Sequence, residues 1–178
     1  MLLSLDISTS CTGYCIFNED ELVAINYISL SKYKDMYEKA NRVESELKDI
    51  SKNFNIDLIV VEENLQSFRP GLSSAKTLMT LAQFNGITRL LCFKCFGIKP
   101  EAINVNSARK AIGLKVDKKS QISTKDQVAN WVQSIDENVT FETREVTRGK
   151  NKGDIVLVSE SYDMADAYVI GKAYNAMY

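Results

Sequence analysis

Four acidic residues stand where a charge is hard to keep. Asp6 ends the apolar run Leu2-Leu3-Ser4-Leu5 and precedes the turn-forming Ser8-Thr9-Ser10, and Glu62 ends Leu58-Ile59-Val60-Val61. Asp163 and Asp166 lie three apart in the last helical stretch and project from one face of it. A carboxylate at the end of a core strand is costly unless it is paired or bound to a cation. Like charges three apart on a helix repel, and no basic residue shares their turn. A divalent cation meets all these needs at once. Mg²⁺ takes a few carboxylate oxygens and keeps water or phosphate oxygens elsewhere. Two such ions about 3.5–4 Å apart would activate a water and stabilise the leaving oxygen in phosphodiester hydrolysis. Taken singly, each acid also has an ordinary reading: Asp6 as a turn former, Glu62 as a solvated strand end, Asp163 and Asp166 as residues of a helix N-terminus.

That chemistry suits a chain with no histidine among 178 residues, which excludes Ser-His-Asp and Cys-His nucleophiles, His-ligated zinc and a His proton shuttle. With 45% hydrophobic and 25% charged residues, the sequence predicts one compact domain over 1–178. Formal net charge is −1, so only local charge can argue for a nucleic-acid partner. The four cysteines, Cys11, Cys15, Cys92 and Cys95, could supply zinc thiolates, but their apolar settings favour packing as small hydrophobes. No basic leader and no membrane-length apolar run is present, so no membrane association and a reducing cytoplasm, bacterial or of a viral host, are expected.

The elements that must position these acids follow from periodicity. Residues 2–7, 13–18 and 21–30 read as an antiparallel meander. Met36, Tyr37, Ala40, Val43, Leu47, Ile50 and Phe54 recur at helical steps, and 57–62 is a continuous apolar run typical of a buried parallel strand. A long apolar helix is predicted over 73–96 from a Ser cap, then a strand at 101–105 and a short helix capped by Asn106-Ser107. A helix from Thr124 follows, then strands at 139–146 and 154–159 around a Gly-containing basic tip, and a final helix from Tyr162 with an acidic first turn. The order predicts an α/β architecture with a mixed sheet.

Basic residues cluster between Arg109 and Lys125, where Arg109, Lys110, Lys115, Lys118, Lys119 and Lys125 face one acid, Asp117. Such a cluster can hold phosphates without reading sequence, and it can equally be a solvated loop. Arg144, Arg148, Lys150 and Lys152 add charge around the hairpin tip. Trp131, Tyr162, Tyr168 and Tyr174 fit a core or an interface.

In LDISTSCTGYCIF (5–17), IVVEEN (59–64), SARKAIG (107–113), STKDQVANWV (123–132) and YDMADAYVIG (162–171) the chain resembles the RuvC-type Holliday-junction resolvases of the RNase H-like superfamily, including phage and viral forms. The resemblance spans nearly the whole chain. It implies an RNase H-like mixed five-stranded sheet flanked by helices, with an extra hairpin insertion near 136–160. It also implies a Mg²⁺-dependent endodeoxyribonuclease with two ions per site, Mn²⁺ substituting. Asp6, Glu62, Asp163 and Asp166 would be the catalytic metal ligands and Lys125 a basic residue near the scissile phosphate. Glu62 rather than Glu63 matches, since alternate strand residues face opposite ways. DNA contacts fall to Phe68, Arg69, Arg109, Lys110, Lys118, Lys119, Lys125, Arg148 and Lys150. Phe68 could stack at a branch point or staple the next helix. The substrate implied is branched DNA, a four-way junction or a flap, and its two-fold symmetry asks for a homodimer, with helix 73–96 as the seam. Two departures stand out: Ser8 replaces a glycine frequent in the family, and the 136–160 insertion could remodel DNA contacts.

Three other readings compete. An RNase H-type ribonuclease would place an acid on the first crossover helix, where Glu38, Glu44 and Glu46 are available. LDISTSCTGY also suits a sugar-kinase or actin-like ATPase half, although those bind nucleotide between two domains. A non-catalytic branched-DNA-binding protein of the same fold would not need the acids.

Overall fold

The computed structural model describes residues 1–63 and 75–178. Strands β1 (Leu2–Ile7), β2 (Cys11–Asn18) and β3 (Glu21–Ser29) form the antiparallel meander. Helix α1 (Met36–Asn53) crosses over to β4 (Leu58–Glu62), which pairs with β1 in parallel, and α2 (Ala75–Phe96) leads to β5 (Glu101–Ile103), parallel to β4. The sheet order is β3-β2-β1-β4-β5, the mixed five-stranded sheet expected. Helices α3 (Val105–Ala111) and α4 (Thr124–Ile135), a separate two-stranded hairpin of β6 (Thr143–Glu145) and β7 (Ile155–Leu157), and α5 (Ser159–Met177) complete the described chain.

Strand β2 begins at Cys11 rather than at Gly13, and three further regions differ from expectation for identifiable reasons. Asn104 caps α3, its side chain accepting from the backbone N–H groups of Asn106 and Ser107, so β5 stops at Ile103 and the expected Asn106-Ser107 cap lies inside the helix. Strands β6 and β7 have three residues each, because Val139 and Phe141, apolar alternates read as strand, are buried in the core instead. Helix α5 starts at Ser159, so Glu160 occupies its first turn and Asp163 and Asp166 lie beyond it. The Ser73 cap predicted for α2 falls outside the described residues.

Strand periodicity sorts the core into two layers. Leu3, Leu5 and Ile7 of β1, with Tyr14, Ile16, Ile59 and Val61, pack under α1 and α2 with Val43, Leu47, Ile50, Phe84 and Cys92. Leu2, Cys15, Phe17 and Val60 face α5, meeting Ala165, Tyr168, Val169 and Ile170. Helix α5 is seated tightly. Ser4 Oγ donates to the Ala167 carbonyl at 2.8 Å, and a Cβ on Gly171 would fall 2.4 Å from the Phe17 ring.

Candidate active site

The same alternation that sends Leu3 and Leu5 to one layer sends Ser4 and Asp6 to the other, and Val60 and Glu62 follow in the parallel register of β4. Both acids therefore end their strands on the face covered by α5. Gly13 pairs with Asp6 across β1–β2, and a Cβ there would lie 2.1 Å from the Asp163 carbonyl oxygen. The missing side chain lets α5 settle onto the sheet at the turn that carries Asp163.

The four acids form one electrostatic unit. Burial, and then the charges of Asp166, Glu62 and Asp163, raise the Asp6 carboxyl well above the usual carboxylate range, and its side chain is hydrogen-bonded to Glu62. Burial and Asp166 raise Glu62, with the Asp6 hydrogen bond and Arg109 working against them. Asp163 and Asp166 are also raised, chiefly by burial. The Cys11 thiol bonded to Asp163 and the Lys125 charge hold Asp163 back, and Arg109 then Lys125 do so for Asp166. Arg109 Nη2 lies 3.3 Å from Asp166 Oδ1. Glu63, which borders the same cleft, accepts from Asn104 Nδ2 at 3.3 Å.

Among the described residues, no three Cys, Asp or Glu side chains already stand in an arrangement that holds a metal ion. Among the described residues, the one ion pair to the four acids is that of the Arg109 guanidinium with Asp166. The donor chemistry nevertheless fits a hard divalent cation: four carboxylates, no imidazole, and a buried carboxamide oxygen, Asn85 Oδ1, that has no hydrogen-bond partner in the adjoining cleft.

The other predicted residues fall around this centre. Lys125 Nζ sits 5.6 Å from the Tyr162 ring centroid, and Tyr162 donates to Asp126 at 2.6 Å. Arg109, Lys110, Lys115 and Lys118 line one open cavity of about 360 Å³, while Lys119 lies on the exposed loop beside it. Arg148 and Lys150 are exposed at the hairpin tip, whose stem is tied to α5 by Ser161 Oγ donating to the Glu142 carbonyl at 3.3 Å. Phe68 and Arg69 lie outside the described residues. The cysteine pairs do not converge, since Cys15 belongs to the α5 layer and Cys92 to the opposite one. On α1, Glu46 is engaged by Arg42 at 2.7 Å and by the Tyr14 hydroxyl at 3.1 Å, and Glu44 by Lys48 at 2.8 Å. Glu38, the third candidate on α1, accepts from the Lys34 N–H at 3.1 Å, and the acids that act on Asp6 are Glu62, Asp163 and Asp166. Sequence reasoning missed Gly13, Cys11 and Asn85. A glycine inside a strand pattern and an amide directly after Phe84 in the largely apolar stretch LAQFNGI were the available signals.

No protein-family model matches the chain, and no curated protein matches it. Solved structures do. Thermus thermophilus RuvC in complex with a Holliday junction substrate is similar over 99% of this chain and 94% of its own, with a TM-score of 0.63 and 14% identity. A second Thermus thermophilus RuvC structure is similar over 98% and 93%, with a TM-score of 0.60 and 16% identity. The yeast mitochondrial Holliday junction resolvase is similar over 98% of this chain and 77% of its own, with a TM-score of 0.53 and 14% identity. The chain thus has the RuvC-like, RNase H-like fold. Among the described residues no helix is long and apolar enough to cross a membrane.

Proposed function

We propose that this protein is a metal-dependent, structure-selective endodeoxyribonuclease that cuts branched DNA, as a Holliday-junction resolvase does. The observation that carries the reading is the gathering of Asp6, Glu62, Asp163 and Asp166 into one electrostatically linked group on a RuvC-like fold. Asp6 and Glu62 arrive from adjacent parallel strands, and Asp163 and Asp166 from the helix seated on them by Gly13. These four would hold Mg²⁺ or Mn²⁺. Bound there, a pair of ions supplies an activated water and charge stabilisation at the scissile phosphate.

The chain's own residues do the rest. Lys125, close enough to act on Asp163 and Asp166, would place positive charge beside the phosphate being cut. The cavity of Arg109, Lys110, Lys115 and Lys118, with Lys119 nearby and Arg148 and Lys150 on the hairpin, would hold flanking phosphates without reading bases.

A junction with two-fold symmetry needs two paired cuts, and a C2 homodimer supplies them. Helix α2 supports that assembly. Met79, Leu90 and Phe93 are 64%, 53% and 52% exposed, and with Gln83 and Gly86 they follow the alternating four-and-three spacing of a helix–helix seam.

The deciding experiment incubates the protein with labelled four-way junctions, three-way branches, flaps, linear duplex and RNA–DNA hybrid, with and without Mg²⁺. Cutting of branched DNA only with the metal, lost in Asp6→Asn while binding survives, supports the reading. Binding that leaves every substrate intact would assign the protein to the non-catalytic class, and preferential hybrid cutting to the ribonuclease class.

A further inference from the structure

Helix α2 buries a carboxamide for which the fold offers no use. Asn85 is 3% exposed, flanked by the core residue Phe84, and its Oδ1 has no hydrogen-bond partner. An orphaned buried acceptor is among the more costly defects a core can carry, whereas an apolar side chain of the same shape would carry no such penalty. The side chain is not sealed in apolar surroundings, however. It lines a cleft of about 170 Å³ together with Asp6, Ser8, Glu62 and Glu63.

The chemistry of that cleft determines what can satisfy the oxygen. Asp6 and Glu62 are bonded to each other, and Glu63 accepts from Asn104. Ser8 Oγ is turned to its own loop, 3.2 Å from Ser10 Oγ and accepting from the Cys11 N–H at 3.3 Å. The described polar groups that line the cleft beside Asn85 are therefore carboxyl oxygens and the Ser8 hydroxyl, which is paired with Ser10 Oγ. An acceptor among acceptors is completed by a cation. Neutral amide oxygens are ordinary ligands of hard divalent ions and add a donor without adding charge to a site that already has four carboxylates.

We propose that Asn85 Oδ1 is a further oxygen ligand in the coordination sphere of the ion held by Asp6 and Glu62. This deepens, and rests on, the metal-nuclease reading. It makes α2, and not only the sheet and α5, part of the metal site.

The test is Mn²⁺ binding to the DNA-free protein, followed by electron paramagnetic resonance, with thermal melts in EDTA and in Mn²⁺. Asn85→Leu should bind Mn²⁺ roughly ten-fold or more weakly. It should also melt at or above the wild-type temperature in EDTA, because it removes an unsatisfied acceptor. Asn85→Asp should keep or tighten binding, and it carries the test by itself if the leucine variant does not fold. Wild-type affinity in Asn85→Leu, weaker binding in Asn85→Asp than in wild type, or a clear loss of stability of Asn85→Leu in EDTA would each overturn the assignment. If Asp6→Asn loses Mn²⁺ while Asn85→Leu keeps it, only this inference fails. If the wild-type protein binds no Mn²⁺, the metal-nuclease reading fails with it.

Discussion

Gly13 faces the backbone of Asp163 so closely that a single added carbon would sit 2.1 Å from the Asp163 carbonyl oxygen and 2.6 Å from the Met164 nitrogen. Both obstructing atoms are backbone, so no rotamer change relieves them, and Gly13 is also the ladder partner of Asp6. Gly13→Ala should therefore push α5 off the sheet at the point where the acids meet. The expected destabilisation is about 3 kcal/mol, the upper part of the overpacking range, read from urea midpoints. Divalent-ion binding should fall with it. Wild-type stability in this variant would mean that α5 does not sit on β2 as described.

Asp6 gives the protein an unusual pH dependence. Its folded-state pKa is raised, chiefly by burial, so the folded protein holds that proton more tightly than the unfolded chain. The associated stability is complete below the ordinary carboxylate value of about 3.9 and is lost as pH rises through the raised native value. At neutral pH in EDTA, Asp6→Asn should melt higher than wild type, and the gap should close as the pH is lowered towards 4. Adding Mn²⁺ should raise the wild-type melting temperature and leave the variant's unchanged, while the variant loses at least about 10²-fold in cutting rate. A variant that melts lower than wild type in EDTA would contradict the buried-acid account.

Much of this site could be read from the chain because it is built from regular elements. Two apolar runs ending in acids place Asp6 and Glu62 on one face by strand alternation, and helical spacing joins Asp163 to Asp166. What escaped was long-range or chosen between near-equals. The Arg109–Asp166 pair spans 57 positions, and no local pattern marks it. Asn104 and Asn106 are both good caps, and the choice fell to the one whose side chain reaches the free N–H groups. Val139 and Phe141 alternate as a strand would, yet their burial serves the α5 layer and no ladder.

Arg109 joins the acids to the basic cavity. Its Nη2 lies 3.3 Å from Asp166 Oδ1, its Nε is buried without a partner, and its side chain forms part of the cavity wall with Lys110, Lys115 and Lys118. Removing it leaves Asp166 without its closest cation. Arg109→Gln should lower the melting temperature in EDTA and gain more from added Mn²⁺ than wild type does. If the guanidinium also holds a DNA phosphate, junction binding in Ca²⁺ should show a log-affinity against log-salt slope reduced by about 1. An unchanged slope with the stability change present would confine Arg109 to the acid cluster.

The exposed face of α2 separates folding from assembly. Leu90 and Phe93 are more than half exposed, whereas Phe84 and Cys92 on the other face are fully buried, so a charge on the outer stripe does not enter the core. Leu90→Glu with Phe93→Glu should change monomer stability by no more than about 0.5 kcal/mol per site, as surface substitutions usually do. In a two-fold dimer each substitution appears twice at the seam and faces its own copy, so the like charges compound. Light scattering after size exclusion should show wild type at twice the chain mass and the double variant at the chain mass. On a four-way junction the variant should nick one strand and fail to deliver the paired second cut. If wild type elutes as a monomer, or the variant remains dimeric, the seam is not on α2 and the paired cuts must be organised by another surface.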